Sequence, residues 1–384
     1  MTTTAIPIEL FGAQQLDGGI APRVFFSAHR YVQGPGVLRK LSDYLPLVGS
    51  QRPMLLIPRD LPPALTSQVA ADLEAGGVRV LVQPFEGQCS VTAIEQHAVR
   101  AREAGCDAVI ALGGGKAIDT AKSVGFQLGL PVIVCPTLAS SDAPCSALAI
   151  VYSDEGTFES VRFFRGNPDL VVVDTAVIAQ APVRFLLAGI ADALATGYEA
   201  AACVANPKAR SMLGGGISLA ARALASLCSQ TIHEQAREAV QSVREKRVGP
   251  ALEDVVEANT LLSGTGFESA GTAAAHAVAT ALTVVPEVEH RFMHGELVAV
   301  GLVTQLLLEG NEVEFNRVQT LFREIGLPYC FADLGLNLAD SETKIRTVVE
   351  NAFNLPFIHN EPFEVTPDKL FKAITEVERR AGKA

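Results

Sequence analysis

The sequence predicts an α/β domain built on a parallel sheet, followed by an all-helical domain. A chain of 384 residues exceeds the size at which one hydrophobic core usually stops growing, so two domains are expected. From about Val24 to Asp174, short β-branched runs alternate with amphipathic helical stretches, and after Asp174 the sequence turns Ala-rich with helical periodicity. We therefore expect an α/β domain over residues 1–180, including an N-terminal extension over 1–22, and a helical domain over 181–384.

Buried strands and connecting helices are predicted in turn along the first domain. The predicted strands are Met54–Ile57, Val78–Val82, Ala108–Leu112, Val132–Cys135 and Leu170–Asp174. The predicted helices between them are Pro62–Ala75, Val91–Ala104 and Lys116–Leu128. A turn signal over residues 154–156 separates Ser146–Ser153 from Phe158–Phe164, which predicts a hairpin added to the same sheet.

The second domain is predicted to begin near Pro182 and to contain few strands. Its helices are expected at Phe185–Ala205, Gly214–Ile232, Pro250–Gly264, Ala273–Leu282, Leu297–Leu308 and Val313–Ile325. Because no low-complexity linker separates the domains, we expect them to pack tightly and to form a site in the cleft between them.

Charge and composition argue against several classes of partner. The formal net charge is −11 without a block of like charges, which is unlike a nucleic-acid surface or a polybasic membrane patch. The seven widely spaced cysteines are an odd number and indicate reduced thiols in a cytoplasm rather than a disulfide framework. No secretory leader pattern and no apolar run near 18 residues is found, so neither export nor membrane insertion is expected.

A glycine-rich turn between a strand and a helix is the first candidate for a binding site. Gly113, Gly114 and Gly115 follow a predicted strand and precede Lys116. Glycines let backbone N–H groups approach a pyrophosphate, and a helix N-terminus adds donors and partial positive charge. A tight turn that binds nothing would look the same, and the spacing matches neither the G-x-G-x-x-G pattern nor the P-loop.

Three residues of the second domain predict a metal site. His276 stands in a small-residue helix and His294 opens the next apolar helix, with Pro286 between them, so the two imidazoles come from elements that can converge. Asp192 is a carboxylate in an apolar helix, where a cation would offset the cost of its burial. Each of the three could instead be a satisfied buried polar group. His290 competes as a ligand because it would share a helix face with His294, although its charged neighbours indicate an exposed loop.

Together with longer segments, these residues resemble the iron-containing, group III alcohol dehydrogenases, and within them the glycerol dehydrogenase branch. The matching segments are Tyr31–Gly34, Gly113–Lys122, Pro136–Leu148, Asn167–Asp174, Ala188–Thr196, Gly266–Ser269 and His294–Glu296. The resemblance implies a Rossmann-like domain holding NAD, a helical domain as in the dehydroquinate synthase-like fold, a homo-oligomer, and one divalent metal bound by Asp192, His276 and His294. Related iron-dependent enzymes carry a further histidine where this chain has Thr196, and three protein ligands favour zinc over iron.

The resemblance also assigns contacts to the cofactor and the substrate. It places the dinucleotide against Gly114, Gly115, Lys116, Asp119, Thr137, Ser146, Leu148 and Tyr152, and a polyol against Asp142 and Phe267. It names Asp142, Asp192, His276 and His294 as catalytic. A carboxylate such as Asp142 in a cleft is also a natural acceptor for a diol hydroxyl, although its loop could use it only as a turn former. The implied reaction is oxidation of glycerol, or a similar vicinal diol, to dihydroxyacetone, with zinc polarising the hydroxyl and the nicotinamide taking the hydride.

One departure from the family and several alternatives stay open. The family usually carries an aspartate for the adenine ribose after the first strand, whereas this chain reads Pro58-Arg59-Asp60, and Arg59 could receive the 2′-phosphate of NADP. Related enzymes act on 2-hydroxy acids, 1,2-propanediol or glycerol 1-phosphate, and only Arg291 is an obvious basic residue for a phosphate. A cyclase resembling dehydroquinate synthase and a non-catalytic binding protein are the remaining classes.

Overall fold

The structure of this protein is a computed structural model that describes residues 6–12 and 20–382. Residues 1–5 and 13–19 of the predicted N-terminal extension lie outside the described residues. The strands are β1 (Arg23–Val24), β2 (Tyr31–Gly34), β3 (Pro53–Pro58), β4 (Leu81–Phe85), β5 (Ala108–Gly113), β6 (Val132–Pro136), β7 (Leu148–Tyr152), β8 (Phe158–Phe163), β9 (Leu170–Asp174) and β10 (Gly216–Ile217).

The α-helices are α1 (Pro7–Phe11), α2 (Leu41–Tyr44), α3 (Pro63–Ala75), α4 (Val91–Glu103), α5 (Gly115–Leu128), α6 (Thr175–Gln180), α7 (Val183–Ala205), α8 (Leu219–Arg244), α9 (Pro250–Glu257), α10 (Ser263–Ala270), α11 (Ala274–Leu282), α12 (Pro286–Glu289), α13 (His294–Leu308), α14 (Glu312–Ile325), α15 (Leu338–Asn354) and α16 (Pro367–Ala381). Short 3-10 segments occur at Val37–Lys40, Leu45–Val48, Phe331–Leu334 and Pro356–Asn360, and Ala258–Leu262 is π-helical.

Six strands form one parallel sheet in the order β2-β9-β6-β5-β3-β4. Every residue of β5, β6 and β9 is buried, as expected for parallel strands covered on both faces. The predicted fold class is confirmed. Strand β4 begins later than predicted because Val78 still belongs to the turn that ends α3, where its N–H bonds to the carbonyl of Leu73. Strand β2, which was not predicted, is a half-buried edge strand paired with β9.

The predicted hairpin forms, but its predicted place is wrong. Strands β7 and β8 pair antiparallel in a two-stranded sheet of their own. The reason is that β7 is attached to a helix and not to a strand of the six-stranded sheet, since the N–H of Ile150 donates to the carboxylate of Asp119 on α5 at 2.9 Å. Phe126 of α5 also stacks on Phe164 at the end of the hairpin, with ring centroids 4.5 Å apart.

The order of the strands creates a crevice at the carboxyl ends of β3 and β5, in the middle of the sheet. The chain runs from β3 to β4 on one side, and then crosses to β5 on the other side of β3. The loops after β3 and β5 therefore leave in opposite directions at adjacent carboxyl ends, which is where open α/β sheets bind ligands. A Cβ on Gly113 would lie 2.8 Å from the ring of Pro58, so glycine is required for these two strand ends to pack.

Helix α7 is the core of the helical region. This 23-residue helix is long and apolar enough to cross a membrane, but 78% of its most apolar stretch is buried inside the protein. Such burial is expected of a core helix. Helix α8 begins at Leu219, later than predicted, because Gly216–Ile217 pairs with Arg23–Val24 and Ser218 then caps the helix. The predicted helix Pro250–Gly264 is interrupted by the π-helical turn, and α15 and α16 were not predicted. The domain boundary near Pro182 stays a prediction.

Candidate functional site

Three of the predicted residues meet at one point. Asp192 of α7, His276 of α11 and His294, the first residue of α13, each offer one ligand atom, and these atoms all lie within 4.8 Å of one another. The Oδ1 atom of Asp192 is 3.4 Å from Nε2 of His276 and 3.6 Å from Nε2 of His294. Two imidazole nitrogens and a carboxylate oxygen are the donor set that zinc and similar divalent cations take.

Asp192 has properties that a bound cation would explain. Its side chain is 1% exposed, and neither carboxylate oxygen accepts a hydrogen bond from the residues that the structure describes. Burial disfavours its charge, but the contact with His276 and the charge of His294 outweigh burial, so the pKa of Asp192 lies below its usual value.

His290 does not join this cluster. Helix α12 ends at Glu289 and α13 begins at His294, so the predicted shared helix face of His290 and His294 is wrong. His290 is exposed and is absent from the metal-ligand cluster among residues 6–12 and 20–382.

Close backbone contacts hold the helices of the cluster together. A Cβ on Gly295 would lie 1.9 Å from the carbonyl oxygen of Ala188, so α13 packs on α7 with no room for a side chain. A Cβ on Gly189 would lie 2.0 Å from the carbonyl oxygen of Ala139, which brings the loop after β6 equally close to α7. Asn259 donates a hydrogen bond to the same carbonyl at 3.0 Å. The positions of both glycines thus fix the distance between the cluster and the sheet.

Asp142 lies in the loop after β6, close to the cluster. Burial, followed by the nearby charge of Asp192, raises the pKa of Asp142 well above its usual value. Ser263 donates to Oδ2 of Asp142 at 3.3 Å and shares a second hydrogen bond of 2.9 Å with the hydroxyl of Thr196. Phe267, 7% exposed, lies one turn after Ser263 on α10. The polyol contacts predicted for Asp142 and Phe267 remain predictions.

A cavity of about 1240 Å³ lies at the carboxyl ends of the parallel strands. Its lining includes residues at the carboxyl end of each of β3, β4, β5 and β6, namely 58–62, 85–87, 114–117 and 137–138. The beginning of α7 lines it as well. The volume exceeds the roughly 300–1,000 Å³ typical of pockets for drug-sized ligands. The cavity is thus large enough for a ligand of dinucleotide size at the switch point of the sheet.

Of the predicted cofactor contacts, Gly114, Gly115, Lys116 and Thr137 line this cavity. A Cβ on Gly115 would meet nothing within 4 Å, so the backbone at the start of α5 is open to a ligand. The buried hydroxyl of Thr137 has no hydrogen-bond partner among the described residues, as expected for a group that hydrogen-bonds to a ligand.

The other predicted cofactor contacts, Asp119, Ser146, Leu148 and Tyr152, do not line the cavity. The first three are joined by Lys122, which is completely buried and which the sequence analysis did not single out. Its Nζ lies 2.9 Å from Asp119, 3.4 Å from the hydroxyl of Ser146, and donates to the carbonyls of Ala143 and Leu148. Asp119 has its two oxygens directed to Lys122 and to the N–H of Ile150, and its cofactor role stays a prediction.

The cavity wall near Arg59 has a mixed charge. Arg59 is paired with Glu86, with 3.2 Å between Nε and Oε2, and both side chains are exposed. Asp60 lines the same wall. A 2′-phosphate would therefore meet Arg59 together with two carboxylates, whereas a ribose hydroxyl would find acceptors.

Two residues without a role predicted from the sequence support the candidate metal ligands. Glu199 lies on α7 seven residues after Asp192, is completely buried, and contacts Nδ1 of His276 at 2.5 Å. Glu296 caps the start of α13 and forms a two-pronged ion pair with Arg184 at 2.7 Å, which fixes the helix end that carries His294. An acidic residue inside an apolar helix is the sequence signal for both, as it is for Asp192.

Comparison with known proteins gives a consistent result. The family described as iron-containing alcohol dehydrogenase matches residues 28–175. The glycerol dehydrogenase of Escherichia coli O6:H1 is 43% identical over 355 residues, which are 92% of this chain and 95% of that protein. The glycolaldehyde reductase of Halobacterium salinarum is 40% identical over 91% of this chain and 96% of that protein. The crystal structure of a probable glycerol dehydrogenase from Sinorhizobium meliloti 1021 aligns with a TM-score of 0.86 and 37% identity, over 94% of this chain and 100% of that chain.

Proposed function

This chain belongs to the iron-containing alcohol dehydrogenase family, and we propose that within it the protein oxidises glycerol, or a similar vicinal diol, with NAD and a bound zinc ion. The relatives named glycerol dehydrogenase support the substrate, because they align over nearly the whole chain. A cytoplasmic location and a homo-oligomeric assembly are part of the same proposal. All seven cysteines are free and six of them are buried, in keeping with a reducing compartment.

The observation that carries the proposal is the carboxylate of Asp192. It is buried, makes no hydrogen bond to the described residues, and faces two imidazoles. Burying a carboxylate is costly, the two imidazoles compensate Asp192 only at 3.4 and 3.6 Å, and a divalent cation between the three groups would compensate it directly. The donor set fits zinc, and a ligand set of three protein residues leaves a coordination position for substrate.

When bound, the ion would supply Lewis-acid polarisation of a substrate hydroxyl, and the nicotinamide would supply a hydride acceptor. The residues of the chain would orient the two partners. Asp142, held by Ser263, would offer a carboxyl oxygen next to the cluster as an acceptor for a second diol hydroxyl. The open backbone at Gly115 and the start of α5 would hold the pyrophosphate with N–H donors.

NAD is the preferred cofactor in this proposal. Arg59, which the sequence analysis considered as a 2′-phosphate site, is already paired with Glu86, and Asp60 adds a second negative charge to the wall. A 2′-phosphate would be repelled by both carboxylates, while the ribose hydroxyls of NAD can donate to them.

The proposal is tested by loading metal-free protein with Zn²⁺ or Fe²⁺ and following the absorbance of the reduced cofactor. Substrates are glycerol, 1,2-propanediol, glycolaldehyde with the reduced cofactor, and a 2-hydroxy acid, each with NAD and NADP. We expect the highest kcat/KM for glycerol with zinc and NAD.

The matched variants are His294→Ala and His290→Ala. The first removes a proposed ligand and should abolish metal binding and activity together, whereas the second removes an exposed histidine four residues away and should abolish neither. A metal-free His294→Ala protein with wild-type activity would show that the proposed site is wrong. A preference for another substrate with an intact metal requirement would correct only the substrate.

A further inference from the structure

Glu199 holds the ring and the backbone of His276 at the same time. Its Oε1 accepts hydrogen bonds from the N–H groups of Ala273 and His276, at 2.8 and 2.9 Å. Its Oε2 lies 2.5 Å from Nδ1 of the His276 ring. The side chain is 0% exposed, so water does not compete for these contacts.

We propose that Glu199 is a positioning residue that fixes the orientation and the tautomer of His276 for metal binding. The inference rests on the proposed metal site. Nε2, the other ring nitrogen, faces Asp192 at 3.4 Å, so with Nδ1–H donated to Glu199 it would be the nitrogen that binds an ion placed between them. Metal-binding histidines commonly donate their second N–H to a carboxylate, which fixes the ring and strengthens the ligand.

His294 is held differently, which makes the two imidazoles unequal. Its side chain is 50% exposed, and the ring makes no hydrogen bond among the residues that the structure describes. His276 is only 12% exposed, and Glu199 holds its ring at Nδ1, whereas Nε2 faces Asp192. The orientation of His276 is thus set before an ion arrives, whereas His294 can adjust to it.

Glu199 could instead serve only as a cap for α11, and the surroundings separate these two roles. The first N–H groups of α11 are satisfied by three side chains from other elements. Glu361 accepts from Ala274 at 3.2 Å, and Gln305 accepts from Ala275 at 2.8 Å. Glu361 is therefore a second buried glutamate that caps the same helix end without a hydrogen bond or ion pair to the imidazole, and it provides the matched control.

The test compares Glu199→Gln with Glu361→Gln. Both substitutions keep the size of the side chain and an oxygen that can accept a backbone N–H. The Zn²⁺ affinity of each full-length protein is measured by competition with a chromogenic chelator, and the visible spectrum is recorded after loading with Co²⁺. Circular dichroism of the metal-free proteins monitors folding.

We expect Glu199→Gln to bind Zn²⁺ about 10- to 100-fold more weakly, which is the usual effect of removing the partner of a metal-bound histidine. Its Co²⁺ bands should shift because the ligand field of His276 changes, while Glu361→Gln should keep the wild-type affinity and spectrum. Equal losses in both variants, or a wild-type affinity in Glu199→Gln, would overturn the inference. If Glu199→Gln does not fold, Glu199→Asp is measured under the same criteria, since its shorter carboxylate cannot reach both the helix and the ring.

Failure of the wild type itself to bind Zn²⁺ would be a failure of the proposed function. Normal binding by the wild type together with normal binding by Glu199→Gln would be a failure of this inference alone.

Discussion

The replacement Lys122→Met tests how the hairpin and the loop before it are joined to α5, the helix proposed to bind the dinucleotide. Lys122 is completely buried on α5, with Nζ 2.9 Å from Oδ1 of Asp119. It also donates to the carbonyls of Ala143, at 3.0 Å, and of Leu148. Methionine keeps the unbranched shape of the side chain but has no charge and no donor.

We expect the folded protein to lose stability because the substitution leaves polar groups without their partner. Asp119, 7% exposed, would keep only the N–H of Ile150 as a partner, and the two carbonyls would lose their shared donor. Breaking one side of a buried ion pair costs about 3–5 kcal/mol. Urea denaturation monitored by circular dichroism measures this loss as a lower midpoint. Because Ser146 and Leu148 belong to the released segment, we also expect a higher KM for NAD.

Two control proteins define the result. The double variant Asp119→Asn/Lys122→Met has no unpaired charge and should regain part of the lost stability. The exposed pair Arg346–Glu342, with side chains 53% and 55% exposed, should lose at most about 1 kcal/mol in Glu342→Gln, which leaves Arg346 over the ring of Phe371. The reasoning fails if Lys122→Met also loses no more than about 1 kcal/mol, the value for an exposed pair.

Two further predictions concern acid stability and helix packing. Burial lowers the pKa of His97 from 6.5 to about 4, so between these values the unfolded chain binds more protons and stability falls as the pH falls. The variant His97→Phe, which keeps a ring beside Phe85, should show a smaller loss of urea midpoint across that window, and an unchanged slope would contradict the assignment. Gly189→Ala should lose about 1–3 kcal/mol of unfolding free energy because its Cβ meets the Ala139 carbonyl oxygen at 2.0 Å. Gly166→Ala, where a Cβ would meet nothing within 4 Å, should change stability by no more than about 0.5 kcal/mol, and equal losses in the two variants would refute the packing argument.

The central strands could be predicted from the sequence because their surroundings are uniform. Strands β5, β6 and β9 are buried on every residue, so each appears as a continuous apolar run between turn signals. Strand β2 lies at the edge of the sheet and is half-buried throughout, and it gives no such run. The place of the hairpin depends on the distant contact between Asp119 and Ile150, which no local pattern contains.

The candidate metal ligands could be chosen by residue type, but the residues that support them could not be ranked by the same means. Asp192 and Glu199 are both acidic residues in one apolar helix, seven positions apart and hence on the same face. Only the family resemblance indicates which of the two is the ligand and which the supporting residue. The two carboxylates differ in the contacts that they receive from α11, more than seventy residues away in the chain.

These contacts give a physical criterion for separating ligands from supporting groups. A buried carboxylate must be compensated, and the protein itself can do this with N–H donors. Glu199 receives three such contacts, and Glu268, whose pKa burial raises to about 7, receives the N–H of Ala147 and the amide of Asn167. Asp192 receives no hydrogen bond from the described residues, although it is equally buried. A carboxylate that accepts several N–H groups has fewer lone pairs left for an ion, so the absence of such bonds at Asp192, beside two imidazoles, supports its proposed role as a ligand.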